Sequence, residues 1–316
     1  MNRKEIEAQL IKNDSTLLSF PERGPWGDRK YRGNCSGWIQ AFLIWKYKVQ
    51  YLAELFAGSG TGSDVAQDMG ISYIGADLNP NPVRSNILSL DAICDEVPED
   101  FTSADMIFMH PPYGAEIGIP YAGSMFPDND KTLSKSDLGQ MKWEKFIKTL
   151  NIIVMKYYAS MQNGSRMSIL MGDIRRNGKC YSMIKDIVQP GQLNQIIIKA
   201  QHNCASDYRS YSNKNFVPIV HEYIMVLKKP SPYIIDFSLP IKHTIDIRNS
   251  KQATWRDVVY AVMYKLKKSD LESIYSEIEC CDKAKANPNW KAKVRQTLQQ
   301  NNRFQNISRG VWRIAA

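Results

Sequence analysis

Glu54-Leu-Phe-Ala-Gly-Ser-Gly-Thr-Gly62 closes an apolar run that starts at Tyr51, and the fold turns on how this stretch is read. Tyr51 to Phe56 suits a buried strand, and three glycines in alternation suit a tight turn into a helix. Glycine lacks a Cβ, so the backbone there can pass close to a ligand. The spacing is G-x-G-x-G. It lacks the third glycine of G-x-G-x-x-G, and no Gly-Lys-Ser/Thr marks a phosphate-binding P-loop. Ser63 to Met69 continues as a helix and Ser72 to Ala76 as the next strand, which ends at Asp77. An acidic side chain at that strand end can accept both ribose hydroxyls of a nucleoside cofactor. The pattern predicts a doubly wound α/β domain.

Working outward, Ala104 to Met109 is apolar enough for a central parallel strand, and Met109-His-Pro-Pro-Tyr-Gly114 follows it. Ligands of open parallel sheets bind at the carboxyl ends of the strands, so this segment belongs beside the glycine turn. Tyr31-Arg-Gly-Asn-Cys-Ser-Gly37 precedes an amphipathic stretch, Trp38 to Tyr47. Further strands are expected at Ile87–Leu90, Ser165–Met171, Gln192–Ala200 and His221–Leu227, with a long helix over Met141–Met161. Ala115 to Gln140, rich in Gly, Pro, Ser and Asp, reads as a long irregular segment able to close over a substrate.

Together the glycine turn and His110-Pro-Pro-Tyr113 resemble the cofactor and catalytic motifs of the S-adenosylmethionine-dependent amino methyltransferases, which methylate the exocyclic nitrogen of adenine or cytosine. Gly172-Asp-Ile-Arg175 and the strand from His221 to Lys229 resemble strands of the same enzymes, so the likeness covers roughly residues 20–230. It implies a Rossmann-like methyltransferase sheet with S-adenosyl-L-methionine as cofactor. Phe56, Gly58, Gly60 and Asp77 would line the cofactor, and Asn34 and Ser36 would help hold its methionine end. Asp91, at the end of the third strand, would bind the adenine amino group, with Asp95 as a rival.

The catalytic residues would be His110, Pro111, Pro112 and Tyr113. An aromatic amine is a poor nucleophile because its lone pair is delocalised into the ring. The first side chain of the motif and the carbonyl of the first proline can accept its two hydrogens and aim the lone pair at the methyl group. Tyr113 offers a face on which an extruded base can stack. The family's motif usually begins with Asp, Asn or Ser, and here His stands in that place. Neutral His110 can accept one hydrogen bond and receive the departing proton, which predicts activity falling as pH drops through about 6.5. Asp173 and Glu222 read as scaffold. No Pro-Cys pair follows a comparable strand, which argues against the carbon-5 cytosine route through a thiolate.

Composition narrows the setting. No apolar run reaches the length of a membrane span, and Met-Asn-Arg-Lys-Glu-Ile-Glu at the start lacks the apolar core of a signal peptide. The six cysteines form no CxxC pair, so reduced thiols, a cytoplasmic location and no metal are expected. The net charge of +9 is local: from Ile241 to Ala316, 15 Lys and Arg stand against 7 Asp and Glu, leaving +8. A concentrated excess fits an anionic partner.

Three prolines between Pro230 and Pro240 open a linker, taken as residues 231–250 between a catalytic domain (1–230) and a C-terminal domain (251–316). In the latter, helical patterns at Thr254–Lys267, Asp270–Cys280 and Asn289–Gln299 precede two short strands around a turn at Arg303–Ile314. This order resembles a winged helix. Lys291, Lys293, Arg295 and Gln296 would face the major groove, and Arg303 and Arg309 would serve the wing. Arg209 and Lys214, in the polar stretch 201–215 with Tyr208 and Tyr211, are further DNA-contact candidates.

The reading is a DNA methyltransferase acting on adenine N6 in double-stranded DNA, in a bacterial or phage restriction-modification setting, with or without a cognate restriction endonuclease. The alternatives are a cytosine-N4 enzyme, an RNA methyltransferase and a non-catalytic DNA-binding subunit.

Overall fold

Apolar strands alternating with helices build a twisted sheet whose carboxyl edge carries both motifs. The computed structural model describes residues 1–116, 119–202, 215–230, 235–240, 246–249 and 253–315. It divides into two units, Met1–Pro240 and Ile241–Ala316. No helix among the described residues is long and apolar enough to cross a membrane.

In the first unit, α1 (Arg3–Ile11), β1 (Leu17–Leu18) and α2 (Gly37–Tyr47) precede the glycine-turn strand β2 (Tyr51–Leu55). Then come α3 (Thr61–Met69), β3 (Ser72–Asp77), β4 (Ile87–Ser89), the single turn α4 (Glu99–Thr102) and β5 (Met106–Met109). The long helix α5 (Trp143–Ser160) leads to β6 (Arg166–Met171), the hairpin β7 (Ile174–Arg176) and β8 (Lys179–Tyr181), and the turn α6 (Met183–Asp186). β9 (Gln189–Pro190), β10 (Gln192–Ala200), β11 (His221–Lys228) and β12 (Phe237–Ser238) follow, with β9 paired to β12.

Eight strands form the main sheet in the order β1-β10-β11-β6-β5-β2-β3-β4. β4, β3, β2, β5 and β6 run parallel, and β11 runs antiparallel to both β6 and β10. This is the doubly wound, Rossmann-like arrangement. Side-chain alternation explains why it is buried on two faces. Ala53, Leu55, Ile107 and Met109 enter one core with α5, while Leu52, Met106 and Phe108 enter the other with α1, α2 and α3. On α5, Phe146, Leu150, Ile153, Val154, Tyr157 and Tyr158 recur at helical spacing on the buried face.

Register places the site. Leu55 pairs with Met109 and with Ala76, so Phe56, His110 and Asp77 step off three adjacent strands at the same level. β11 enters from the opposite direction, which brings its start, Glu222, to that edge, with Lys199 opposite it on β10.

The second unit contains α7 (Trp255–Leu266), β13 (Lys268–Asp270), α8 (Leu271–Ile278), the turn α9 (Asp282–Lys285), α10 (Trp290–Gln300), β14 (Phe304–Ser308) and β15 (Val311–Ile314). A Thr254–Asp257 capping box starts α7, and Asp270 caps α8 through the Ser273 amide. The sheet order is β13-β15-β14, with three strands instead of the two expected from sequence. Lys-Ser-Asp is too short and polar to read as a strand, and it pairs here because β15 offers an open edge. Val258, Val262, Ile274, Val294, Leu298 and Phe304 form a separate core, with Trp255 and Trp312 packed on it.

Candidate active site

The turn after β2 takes backbone conformations that only a few residues tolerate. Gly58 and Gly60 have φ of 47° and 76°, and Phe56, a bulky side chain, has φ of 66°. Positive φ at a residue like Phe56 is a form of strain that concentrates at ligand sites. Asp77 secures the turn: its carboxylate accepts from the amides of Gly58 (2.8 Å) and Asn79 (2.9 Å). Burial raises its pKa, and those two amides oppose the rise. A Cβ on Gly58 would stand 3.0 Å from the Tyr31 ring.

A first cavity opens here, lined among others by Asn34, Phe56, Gly58, Asp77 and Asp91. Gly60 stands apart from the lining as the residue before α3, where a Cβ would meet Arg84. Asp91 faces the cavity and accepts from the Ile93 amide and the Ser136 hydroxyl. Asp95 is outside the lining, and its carboxylate accepts from the Asp91 amide. Asn34 accepts from the Thr61 hydroxyl (2.7 Å) and donates to the Asp28 carbonyl (2.8 Å), which ties the 31–37 segment to the glycine turn.

Residues that sequence reading left without a role also line this cavity. Glu54 is buried beneath the turn and bonded by Gln40 and Tyr73, and burial pushes its pKa up to about 8. The described residues of the 115–140 segment are more ordered than its composition suggests. Buried Asp137 accepts from the amides of Tyr121, Ala122 and Gly139, and this fold-back places Tyr121, Phe126 and Leu138 in the cavity wall. The segment thus covers the glycine-turn cavity as well as the neighbouring one.

A second, larger cavity lies next to the first. The two share Gly33, Asn34, Cys35, His110, Pro112 and Tyr121. Pro111 and Tyr113 line the second, as does Ser36, whose hydroxyl donates to the Arg23 carbonyl instead of facing the first cavity. Arg23, Arg29 and Lys199 add cationic lining.

At the shared wall, His110 Nε2 lies 3.2 Å from the Tyr113 hydroxyl, which donates to Glu222 Oε1 at 2.9 Å. Lys199 donates to the other oxygen of Glu222. Burial would raise the Glu222 pKa, but Lys199, with His110 and Tyr113, lowers it on balance, so the carboxylate is ionised. Glu222 is therefore part of the site and not mere scaffold. Burial lowers the His110 pKa to about 4, against the pull of Glu222. His110 is neutral at physiological pH, as its proposed role requires. Any pH dependence carried by His110 is therefore expected near 4, below the 6.5 of an unperturbed histidine.

In the second unit, Lys291, Lys293, Arg295 and Gln296 lie exposed on α10, and Arg303 and Arg309 lie exposed beside the β14–β15 hairpin. Lys291 stands over the Tyr275 ring at 5.2 Å, Lys293 reaches Gln296, and Arg295 donates to the Tyr275 hydroxyl. Arg303 stands over Tyr260. Arg209 and Lys214 are outside the described residues. Among the described residues no group of three or more His, Cys, Asp or Glu side chains could hold a metal ion.

No protein-family model and no curated protein matches the chain. Similar solved structures include TrmN from Thermus thermophilus, at 15% identity and a TM-score of 0.37 over 63% of this chain and 50% of that one. The chain therefore spans half the length of TrmN. Others are the N-methyltransferase NodS from Bradyrhizobium japonicum WM9 in complex with S-adenosyl-l-homocysteine (10%, 0.33, 72% and 98%) and a SAM dependent methyltransferase from Archaeoglobus fulgidus (12%, 0.30, 60% and 93%). Likenesses this distant add nothing to what the strand order and the site geometry show.

Proposed function

We propose that the protein is an S-adenosylmethionine-dependent methyltransferase that modifies the exocyclic amino nitrogen of adenine in double-stranded DNA. The observation that carries the reading is the shared wall: one cavity built on a glycine turn and an acidic strand end meets a second cavity at His110 and Pro112. The residues present fit the cofactor. Phe56, held at a φ of 66°, the Asp77 carboxylate and the Asp91 side chain line one cavity beside the glycine turn. Asp77 would meet the ribose hydroxyls, Asp91 the adenine, and Asn34 the methionine end. The cofactor supplies an electrophilic methyl group on a sulfonium.

The chain's own residues supply the rest. His110, neutral by burial, accepts one amine hydrogen, and the Pro111 carbonyl is the second acceptor at the strand end. Arg23 and Arg29, which line the second cavity beside Glu22 and the Lys199–Glu222 pair, suit the phosphates beside a flipped nucleotide. The second unit, with its helix–strand–helix–helix–strand–strand order and exposed cations on α10, is read as a winged helix that holds the duplex.

The test is incubation with isotopically labelled S-adenosylmethionine and unmodified duplex DNA, with RNA alongside, followed by nucleoside mass spectrometry. Labelled N6-methyladenine supports the reading. Labelled N4-methylcytosine would change the base, label in RNA alone would change the substrate, and no label despite measured cofactor binding would leave a non-catalytic DNA-binding subunit.

A further inference from the structure

Tyr113 has a single hydroxyl proton, and its position follows from its neighbours. Glu222 can only accept, because Lys199 donates to its other oxygen and the carboxylate is ionised. The Tyr113 proton therefore points at Glu222 Oε1, and the 3.2 Å contact with His110 Nε2 must carry its hydrogen from the ring. A neutral imidazole has one N–H. With that hydrogen on Nε2, Nδ1 holds a bare lone pair. No described residue hydrogen-bonds Nδ1, nor is it sealed in the interior, so it opens toward the cavities that His110 lines.

We infer that Glu222, acting through Tyr113, is a positioning residue that locks His110 in the Nε2–H tautomer and so presents Nδ1 as the proton acceptor for the target amine. The tautomer follows from the hydrogen bonds and from the ion pair with Lys199 that keeps Glu222 an acceptor; the acceptor role of Nδ1 rests on the methyl-transfer reading above. The proton accounting closes. Methyl transfer would form the N–CH3 bond from the amine lone pair and break the methyl–sulfur bond, whose pair would stay on sulfur; one N–H bond of the resulting ammonium then breaks, its electron pair stays on nitrogen, and the proton goes to Nδ1. The resulting imidazolium keeps its Nε2–H on the Tyr113 oxygen, and the positive ring is balanced by Glu222 beyond it. An N-alkylated arylammonium is a strong acid, so the weak basicity of a buried His110 is sufficient.

Sequence reading missed this arrangement for a plain reason. Tyr113 and Glu222 are 109 residues apart, and only the antiparallel entry of β11 puts them at one sheet edge.

The test needs neither cofactor nor DNA. The chain has four histidines, so a long-range proton–nitrogen-15 correlation spectrum at neutral pH, assigned with His110→Ala, reads the tautomer directly. The wild type should show a protonated Nε2 and an unprotonated Nδ1. In Glu222→Gln, Lys199 takes the amide oxygen and the amide N–H group faces Tyr113. The tyrosine is then free to donate to Nε2, and the hydrogen should move to Nδ1. Tyr113→Phe, which alters no charge, should give a mixture.

In the methylation assay Glu222→Gln should lower kcat by about 100-fold with little change in KM, the size expected for a misplaced general base. A wild type protonated on Nδ1, or a Glu222→Gln variant that keeps Nε2–H, overturns the inference. Absence of methylation alongside the expected tautomer counts against the proposed function and leaves the tautomer lock standing.

Discussion

At the carboxyl edge of the main sheet, Asp77, Tyr113 and Glu222 are each tied to named partners, through the Gly58 and Asn79 amides, His110, and Lys199. On α10 the charged side chains stand in solvent, resting on the Tyr275 ring or reaching a neighbouring amide. The two regions show two uses of charge. Directing a poor nucleophile needs acceptors fixed before the substrate arrives, since reorganising them during the reaction would raise the barrier. Attracting a polyanion needs no fixed geometry, because mobile solvated cations act at a distance and gain from counterion release.

That contrast can be broken by mutation. The largest effect is expected at the fixed site. Tyr113→Ala removes both the stacking face and the link to Glu222. Stacking alone is worth about 1–3 kcal/mol per base, so single-turnover transfer should drop at least about 10–100-fold with cofactor affinity unchanged by calorimetry. Next comes Asp77→Asn, which removes a charged acceptor worth about 1.5–3 kcal/mol; the cofactor Kd should rise about 10–100-fold while DNA affinity holds. Equal cofactor binding by this variant would remove Asp77 from the site.

Reversing charge at Lys291, Lys293 and Arg295 should act through salt dependence. Each lost phosphate contact should reduce the slope of log affinity against log salt by about 0.9, with cofactor binding untouched. An unchanged slope would mean that α10 is not the DNA anchor.

The smallest expected effect is in pH. Protonating Nδ1 removes the acceptor, so the rate should stay level from pH 8 down to pH 5 and fall around the His110 value of about 4. The same group acts on stability. Its folded pKa lies below the unfolded value of about 6.5, so the unfolded chain binds the proton first as pH falls. Stability should therefore decline from near pH 6.5 to near pH 4, and less steeply in His110→Ala, as thermal melts would show. Tyr113 contacts His110, with Glu222 and Lys199 behind it as the charged groups nearby, and a rate midpoint near 6.5 would mean that this surrounding does not desolvate the ring.

The same contrast marks what the sequence discloses. The glycine turn, Asp77 at its strand end, His110-Pro-Pro-Tyr113 and the helix carrying Lys291 to Gln296 are local patterns, and each lies where its periodicity or spacing puts it. The Glu222–Tyr113–His110 chain is nonlocal. It depends on β11 running against β6, and nothing within His221–Lys228 declares a direction. The 115–140 segment hid its order in a different way. Its single buried carboxylate, Asp137, replaces the hydrogen bonds that a regular element would make, and a lone aspartate in a polar stretch carries no such signal. Strand β13 depends on a partner more than forty residues later. The shift of His110 from about 6.5 to about 4 is likewise a product of burial that no local pattern shows.

The most direct test of the account is single-turnover transfer from pre-bound labelled S-adenosylmethionine to duplex DNA, wild type against His110→Ala, with cofactor and DNA affinities measured on the same preparations. Both affinities should persist in His110→Ala while transfer to adenine falls by at least about 100-fold. Transfer at the wild-type rate by His110→Ala would contradict it, because the chemistry would then lie somewhere other than the wall between the two cavities.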